Sequence, residues 1–312
     1  MTTMKRTTST KSATSTKSAA STKRAAATKP ATATKRAAPA KRATAATRPR
    51  RTTRTPEAAI GAAAATAAPA PLEVREDGPV LRVALNPGGD VSTLDVAVID
   101  ALITLFDSLH ERPGVRVVVL SSLGEDFCLG GNRSEYRDAL AADPTGTSLR
   151  RILDKGHRLF QALESSHVVT VARLHGKVVG QGLALAAFCD LRAAADTCTL
   201  RLPEVGLGMP PAWGGVLGRL ISEAGAARIR ELMLTCDVLD AAGAQRLGLV
   251  HKVAPLDELD GLVDGWTRPL ARRSAEALTL TKRMFAGYAR ADRTADVALL
   301  DAHLMAARLG HA

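Results

Sequence analysis

His175-Gly-Lys-Val-Val-Gly-Gln-Gly-Leu-Ala-Leu-Ala-Ala-Phe-Cys-Asp190 is the stretch whose reading decides the fold. The apolar, β-branched run His167-Val-Val-Thr-Val-Ala-Arg-Leu174 leads into it and predicts a buried strand. Gly176, Gly180 and Gly182 follow, and then an Ala/Leu-rich run predicts a helix starting near Gln181 or Gly182. A Gly-rich turn that opens a helix leaves backbone N–H groups unpaired. Such donors suit an oxygen that becomes negative during a reaction.

About fifty residues earlier the chain repeats this grammar. Val115-Arg-Val-Val-Val-Leu120 predicts a strand, and Ser121-Ser-Leu-Gly-Glu-Asp-Phe-Cys-Leu-Gly-Gly-Asn132 predicts a loop ending in a glycine pair. Two strand ends with exposed donors are able to converge on one oxygen; alternatively, each glycine only relieves a tight turn. Neither loop matches a dinucleotide fingerprint, a P-loop or a Gly-x-Ser-x-Gly elbow.

These residues resemble the enoyl-CoA hydratase/isomerase (crotonase) superfamily. The resemblance rests on four stretches in order and covers roughly residues 72 to 312. They are Val115 to Asn132; Leu174 to Asp190; Leu202-Pro-Glu-Val-Gly-Leu-Gly-Met-Pro210 with Gly214-Gly-Val-Leu-Gly-Arg-Leu220; and Leu234 to Val250. It implies an α/β chain with a β-β-α spiral core and a C-terminal helical oligomerisation region. The expected divisions are a tail and linker at 1–71, an acyl-CoA-binding core at 72–268 and helices at 269–312. Implied partners are an acyl-CoA or acyl-carrier thioester and further copies of the chain, as a homotrimer or hexamer. The thioester is substrate, and no separate cofactor is expected.

The resemblance places the thioester oxygen between the backbone N–H groups of Gly131 and Gln181, with Glu204 as the proton-carrying carboxylate. Asp90, Val91, Leu129, Gly180 and Lys282 are expected along the thioester and its carrier, Lys282 toward the CoA phosphates. Family hydratases use two glutamates around a water molecule. Here the first falls at Ala184, which cannot move protons, and the second is Glu204. The pattern is similar to the family's Δ3,Δ2-enoyl-CoA isomerases. Gln181 stands where glycine is usual. A decarboxylase or dehydratase recruiting His175 or Tyr136, a hydratase, and a catalytically decayed thioester-binding protein are the alternatives.

The first seventy residues differ in kind. Met1 to Thr55 holds no Asp or Glu and 15 of the chain's 42 Lys and Arg residues. The remaining 27 basic residues face 31 acidic ones, a formal −4, so the net +11 originates in the tail. Lys5, Lys11, Lys17, Lys23, Lys29, Lys35 and Lys41 recur every six residues, and no Leu, Ile, Val or Phe lies between Met4 and Ile60. Such a segment is expected to be disordered. It resembles the tails of linker histones, which implies salt-sensitive contact of residues 1–56 with nucleic acid or another polyanion. A solubilising or localising tail, a transit peptide and a misassigned start are the other readings.

No run of eighteen large apolar residues is present, so no membrane span is expected. Cys128, Cys189, Cys198 and Cys236 form no C-x-x-C, which predicts free thiols in a reducing cytoplasm. The seven His residues form no metal motif. Of the candidates for other roles, His175 is expected to pack rather than react, and Tyr136 either to line the acyl pocket or to sit on its rim.

Overall fold

A computed structural model describes residues 70–86, 88, 91–292 and 298–310. The basic tail and Asp90 lie outside the described residues. The order is β1 (Leu72–Asp77), β2 (Val80–Leu85), α1 (Val96–Ser108), β3 (Val117–Ser122), α2 (Arg133–Ala142), α3 (Thr147–Ser165), β4 (Val169–Leu174) and β5 (Lys177–Val179). Then come α4 (Gln181–Ala187), β6 (Leu191–Ala195), β7 (Thr199–Arg201), α5 (Val216–Ala224), α6 (Ala226–Thr235), β8 (Val238–Asp240) and α7 (Ala241–Arg246). The chain continues through β9 (Lys252–Ala254), α8 (Leu259–Ala271), α9 (Ala275–Asp292) and α10 (Ala298–Gly310).

Six strands pair as β1-β2-β3-β4-β6-β9 and three as β5-β7-β8. The large sheet is parallel except for β1 against β2. Its central strands β3 and β4 are buried at all but one position each, as in a parallel sheet covered by helices. Val117, Val118 and Leu120 of β3 are buried together with Leu102 and Phe106 of α1 and Leu159, Phe160 and Leu163 of α3.

The strands predicted at 115–120 and 167–174 and the helix from Gln181 are present, and Val80-Leu-Arg-Val-Ala-Leu85, whose composition also predicts a strand, forms β2; ends shift by two residues at most. Other elements differ. β1 lies before Val80 as an exposed edge, and β5, β7 and β8 form in segments whose sequence predicts no strand. Ser92 ahead of the helically spaced Leu94, Val98, Leu102 and Phe106 predicts a helix from about Thr93 to His110; the helix instead starts at Val96 and is capped by Asp95, whose side chain accepts from Val98 N at 2.8 Å. Leu94 is held extended by a bridge to Gly131, which delays the helix. Ser92 instead donates its hydroxyl to Phe127 O at 2.7 Å. The polar segment 133–147 contains α2, capped by Asn132. Residues 223–234, whose pattern predicts one helix, are divided between α5 and α6 at Gly225, whose φ of 83° and ψ of 146° leave the helical region.

Lys282 departs from its expected role. Its Nζ is buried, 2.9 Å from Val168 O and 2.7 Å from Asp190 Oδ2. A lysine neutralised inside the fold is not presented to the phosphates of a bound carrier. Asp190 also accepts from Thr170 N and Thr170 Oγ1.

Gly182 sets the spacing between the two donor loops. A Cβ there would fall on the Cys128 carbonyl and 2.7 Å from Cys128 Cβ. Gly182→Ala is therefore expected to destabilise the fold by about 1–3 kcal/mol through overpacking. Thermal unfolding of purified protein checks this, the expected result being a midpoint several degrees below wild type.

Candidate active site

The loop after β3 is stitched to the segment before α4. Phe127 N donates to His175 O at 2.9 Å, Cys128 N to Lys177 O at 3.2 Å, and Val179 N to Cys128 O at 2.9 Å. Leu94 N donates to Gly130 O at 2.8 Å, and Leu129 N to Ser92 O at 2.8 Å. Gly130 has a φ of +98°, and a Cβ on it would lie 3.1 Å from Val179 O and 3.6 Å from Gln181 N. Only a glycine lets the two turns approach this closely. Gly180, with a φ of 52°, turns the chain out of β5, and α4 begins at Gln181.

This stitching uses the flanking amides and spares two. Among the described residues, neither the Gly131 N–H nor the Gln181 N–H is donated to a protein acceptor. Both residues line a cavity of about 230 Å³ with Leu129, Gly180, Glu204, Trp213 and Tyr136. The fold thus brings Gly131, Gln181, Glu204, Leu129 and Gly180 together. Val91 is exposed and does not line this cavity, and neither does Lys282.

Glu204 follows Pro203 and heads a 3₁₀ turn, Val205–Leu207. Its side chain is 2% exposed. Oε1 accepts from Trp213 Nε1 at 3.2 Å, while Oε2 is buried with no hydrogen-bond partner among the described residues. A Cβ on Gly180 would lie 2.8 Å from Glu204 Oε1, so the carboxyl rests against the residue next to Gln181. Burial pushes the Glu204 pKa up, and the Trp213 hydrogen bond partly opposes this. A carboxyl with one oxygen anchored and the other unpaired beside two free amides is suited to proton transfer next to a forming oxyanion.

Ala184 is fully buried in α4 and supplies no second carboxylate. Tyr136 is buried in the cavity wall, and its hydroxyl donates to Gln181 Oε1 at 3.2 Å. His175 is not part of this cavity. Its Nε2 lies 2.8 Å from Gly124 O, and the ring borders a separate groove of about 680 Å³. In that groove Arg82 pairs with Asp264 and Arg173 with Asp260. Cys128 is buried and its thiol is pushed up to about 12 by burial, so it stays protonated as a packing residue. Among the described residues no group of His, Cys, Asp and Glu is placed to hold a metal. No described helix is long and apolar enough to cross a membrane.

Two features of the site were not legible beforehand. Trp213, close after Pro210 and Pro211, reads in sequence as a pocket wall, yet its indole N–H orients Glu204. The Tyr136–Gln181 hydrogen bond joins residues 45 apart, and its only advance signal was a glutamine at a glycine position.

Residues 75–309 match the enoyl-CoA hydratase/isomerase family model. The chain belongs to this family. It is 29% identical over 209 residues to a probable enoyl-CoA hydratase of Mycobacterium tuberculosis, covering 67% of this chain and 78% of that protein. It is 31% identical over 165 residues to the crotonyl-CoA hydratase of Syntrophomonas wolfei, covering 51% of this chain and 61% of that protein. An enoyl-CoA hydratase/isomerase from Marinobacter aquaeolei superposes with a TM-score of 0.64 at 25% identity, over 68% of this chain and 81% of that one. One from Mycobacterium paratuberculosis gives 0.70 at 22% identity, over 78% and 94%, and shows the shared crotonase-like α/β fold.

The raised pKa of Glu204 has a consequence for stability. Burial favours the protonated carboxyl in the folded state, so its contribution is fully present below the unfolded value near 4.5. That contribution is lost as pH rises through the elevated folded value. Glu204→Gln, which is neutral throughout, is expected to lose less stability than wild type across this window. Denaturant unfolding of both proteins at a series of pH values checks it; parallel curves would show that Glu204 titrates as if exposed.

Proposed function

We propose that this chain isomerises the double bond of an enoyl thioester, using one carboxylate. The observation that carries the reading is the buried Glu204 carboxyl lying against Gly180, next to two undonated amides. The thioester oxygen accepts from Gly131 N–H and Gln181 N–H. Glu204 removes a proton from the carbon beside the carbonyl of a 3-enoyl thioester. The electron pair left behind spreads over the conjugated dienolate and puts negative charge on that oxygen. Glu204 then returns the proton to the distal carbon, and the double bond moves into conjugation. No atom is gained or lost, so one carboxyl suffices.

Hydration would add a water molecule, and family hydratases position it with two carboxylates; Ala184 removes one of the pair. This favours isomerisation over hydration. The amides act where charge develops, and losing one such donor costs about 3 kcal/mol of barrier.

Glu204→Ala is expected to lower conversion of 3-enoyl-CoA to 2-enoyl-CoA by about 10²–10⁴-fold. Calorimetry should still detect thioester binding to that variant. Chromatographic assay of the product checks the first expectation, and unchanged turnover would remove Glu204 from the mechanism.

The assembly we propose is a homo-oligomer, trimer or hexamer, in the cytoplasm. An apolar stripe on α9, with Leu280, Met284, Phe285 and Tyr288 exposed, supports a contact between copies. For residues 1–56 we propose a polyanion-contacting role, supported by seven lysines at six-residue intervals and no acidic residue before Glu57. Binding of duplex DNA by the full chain is expected to weaken steeply with salt. It should be lost on deleting residues 1–56; salt-independent binding in a fluorescence titration would reject this role.

A further inference from the structure

The space in front of Gly131 is already occupied. A Cβ built on Gly131 would fall on the Tyr136 hydroxyl, and 2.6 Å from Gln181 Oε1. Both groups belong to buried side chains, and both border the cavity that holds the two undonated amides. The hydroxyl therefore lies directly against a residue that presents one of those amides, and the Gln181 side chain starts from the residue that presents the other.

The bond between them is a weak one. At 3.2 Å, Tyr136 Oη to Gln181 Oε1 is long for an O–H donor, whose usual separation is about 2.7–2.8 Å. Its acceptor is a neutral amide oxygen. An oxygen carrying negative charge accepts more strongly. The phenol also stays a donor, because burial pushes the Tyr136 pKa well above the ordinary tyrosine range. The ring is held by packing as well: its centroid is 6.0 Å from that of Trp213, whose N–H binds Glu204.

We propose that Tyr136 is a third donor to the thioester oxygen and that the Gln181 side-chain oxygen is its placeholder in the empty site. When a thioester enters, its oxygen takes over the Tyr136 proton donor and the Gln181 side chain withdraws from Gly131. Glutamine at position 181 then keeps the phenol satisfied between turnovers, in a cavity where an unpaired buried hydroxyl would be costly. Gly131 lacks a side chain because the phenol fills that volume. This inference rests on the proposed thioester site but not on Glu204 being the base.

Acetoacetyl-CoA provides the test, because its enolate has a distinct ultraviolet absorption and needs no turnover. At fixed pH, wild type saturated with it is expected to show an enolate band. Tyr136→Phe keeps the ring packing and should reduce the bound enolate-to-keto ratio by about tenfold or more, the usual effect of a hydrogen bond to a charged group. Its affinity for butyryl-CoA, which forms no stable enolate, should change less than threefold. Gln181→Gly keeps the backbone N–H and removes the placeholder, so it should retain or strengthen the band. An undiminished band in Tyr136→Phe, with circular dichroism showing the fold intact, would overturn the proposal and leave the two-amide site standing. A loss in Gln181→Gly as large as that expected for Tyr136→Phe would assign the donor to the glutamine amide and likewise overturn it. If wild type binds neither thioester, the underlying site fails, and the third donor with it.

Discussion

A three-residue parallel splice, Cys128 against Lys177–Val179, is the constraint on which the site depends. Cys128 donates its N–H to Lys177 and accepts from Val179. That consumes the main-chain groups on both sides and brings two turns to a separation set by missing side chains at Gly130 and Gly182. The chain then diverges within a few residues into α2 and α4, and among the described residues the Gly131 and Gln181 N–H groups at the divergence are donated to no protein acceptor. A site of this kind needs no charged side chain as its electrophile. The donors are fixed by the same bonds that hold the sheet layers together, so little reorganisation is needed when charge appears.

The carboxyl is placed by a separate device. Pro203 and the turn closing at Gly208 hold the Glu204 backbone, and Trp213 fixes one oxygen of its side chain. Burying a carboxyl in this way costs stability, and the raised pKa expresses that cost. Full satisfaction of both oxygens would remove the penalty but would also remove the free lone pairs. The unpaired Oε2 is thus a local violation of polar satisfaction of the sort expected where chemistry is done.

Much of the architecture was legible because its main elements are long and periodic. The strand from Val117 opens on three successive valines, those from Val80 and Val169 are mostly apolar, and α3 keeps an apolar stripe over five turns. The small sheet was not legible, since three-residue strands carry too few positions for an alternation to show. The start of α1 was misplaced because a distant bridge, Leu94 to Gly131, overrides a good local cap at Ser92. Lys282 is placed toward the CoA phosphates by resemblance alone, and no local pattern announces its ion pair with Asp190, 92 positions away. Gly131, Gln181 and Glu204 were readable by motif, but the hydrogen bonds that give Gln181 and Glu204 their chemical state arise from Tyr136 and Trp213, which no local pattern links to them.

The two departures from the family pattern, Ala184 and Gln181, are better understood together than singly. With alanine at 184 the cavity is lined by one carboxyl among the described residues, that of Glu204, and on the proposed reading the charge that develops on the thioester oxygen is met by hydrogen-bond donors. Gln181 adds no positive charge, but its side chain keeps a neutral phenol aligned beside the donor amides. A buried dipolar donor released on ligand entry, as proposed for Tyr136, is worth more than the same group in water, since the effective dielectric is lower. On the proposed reading, the chain has exchanged a water-handling carboxylate for a stronger grip on the enolate. That exchange suits a reaction in which a proton is moved within one molecule and no water is consumed.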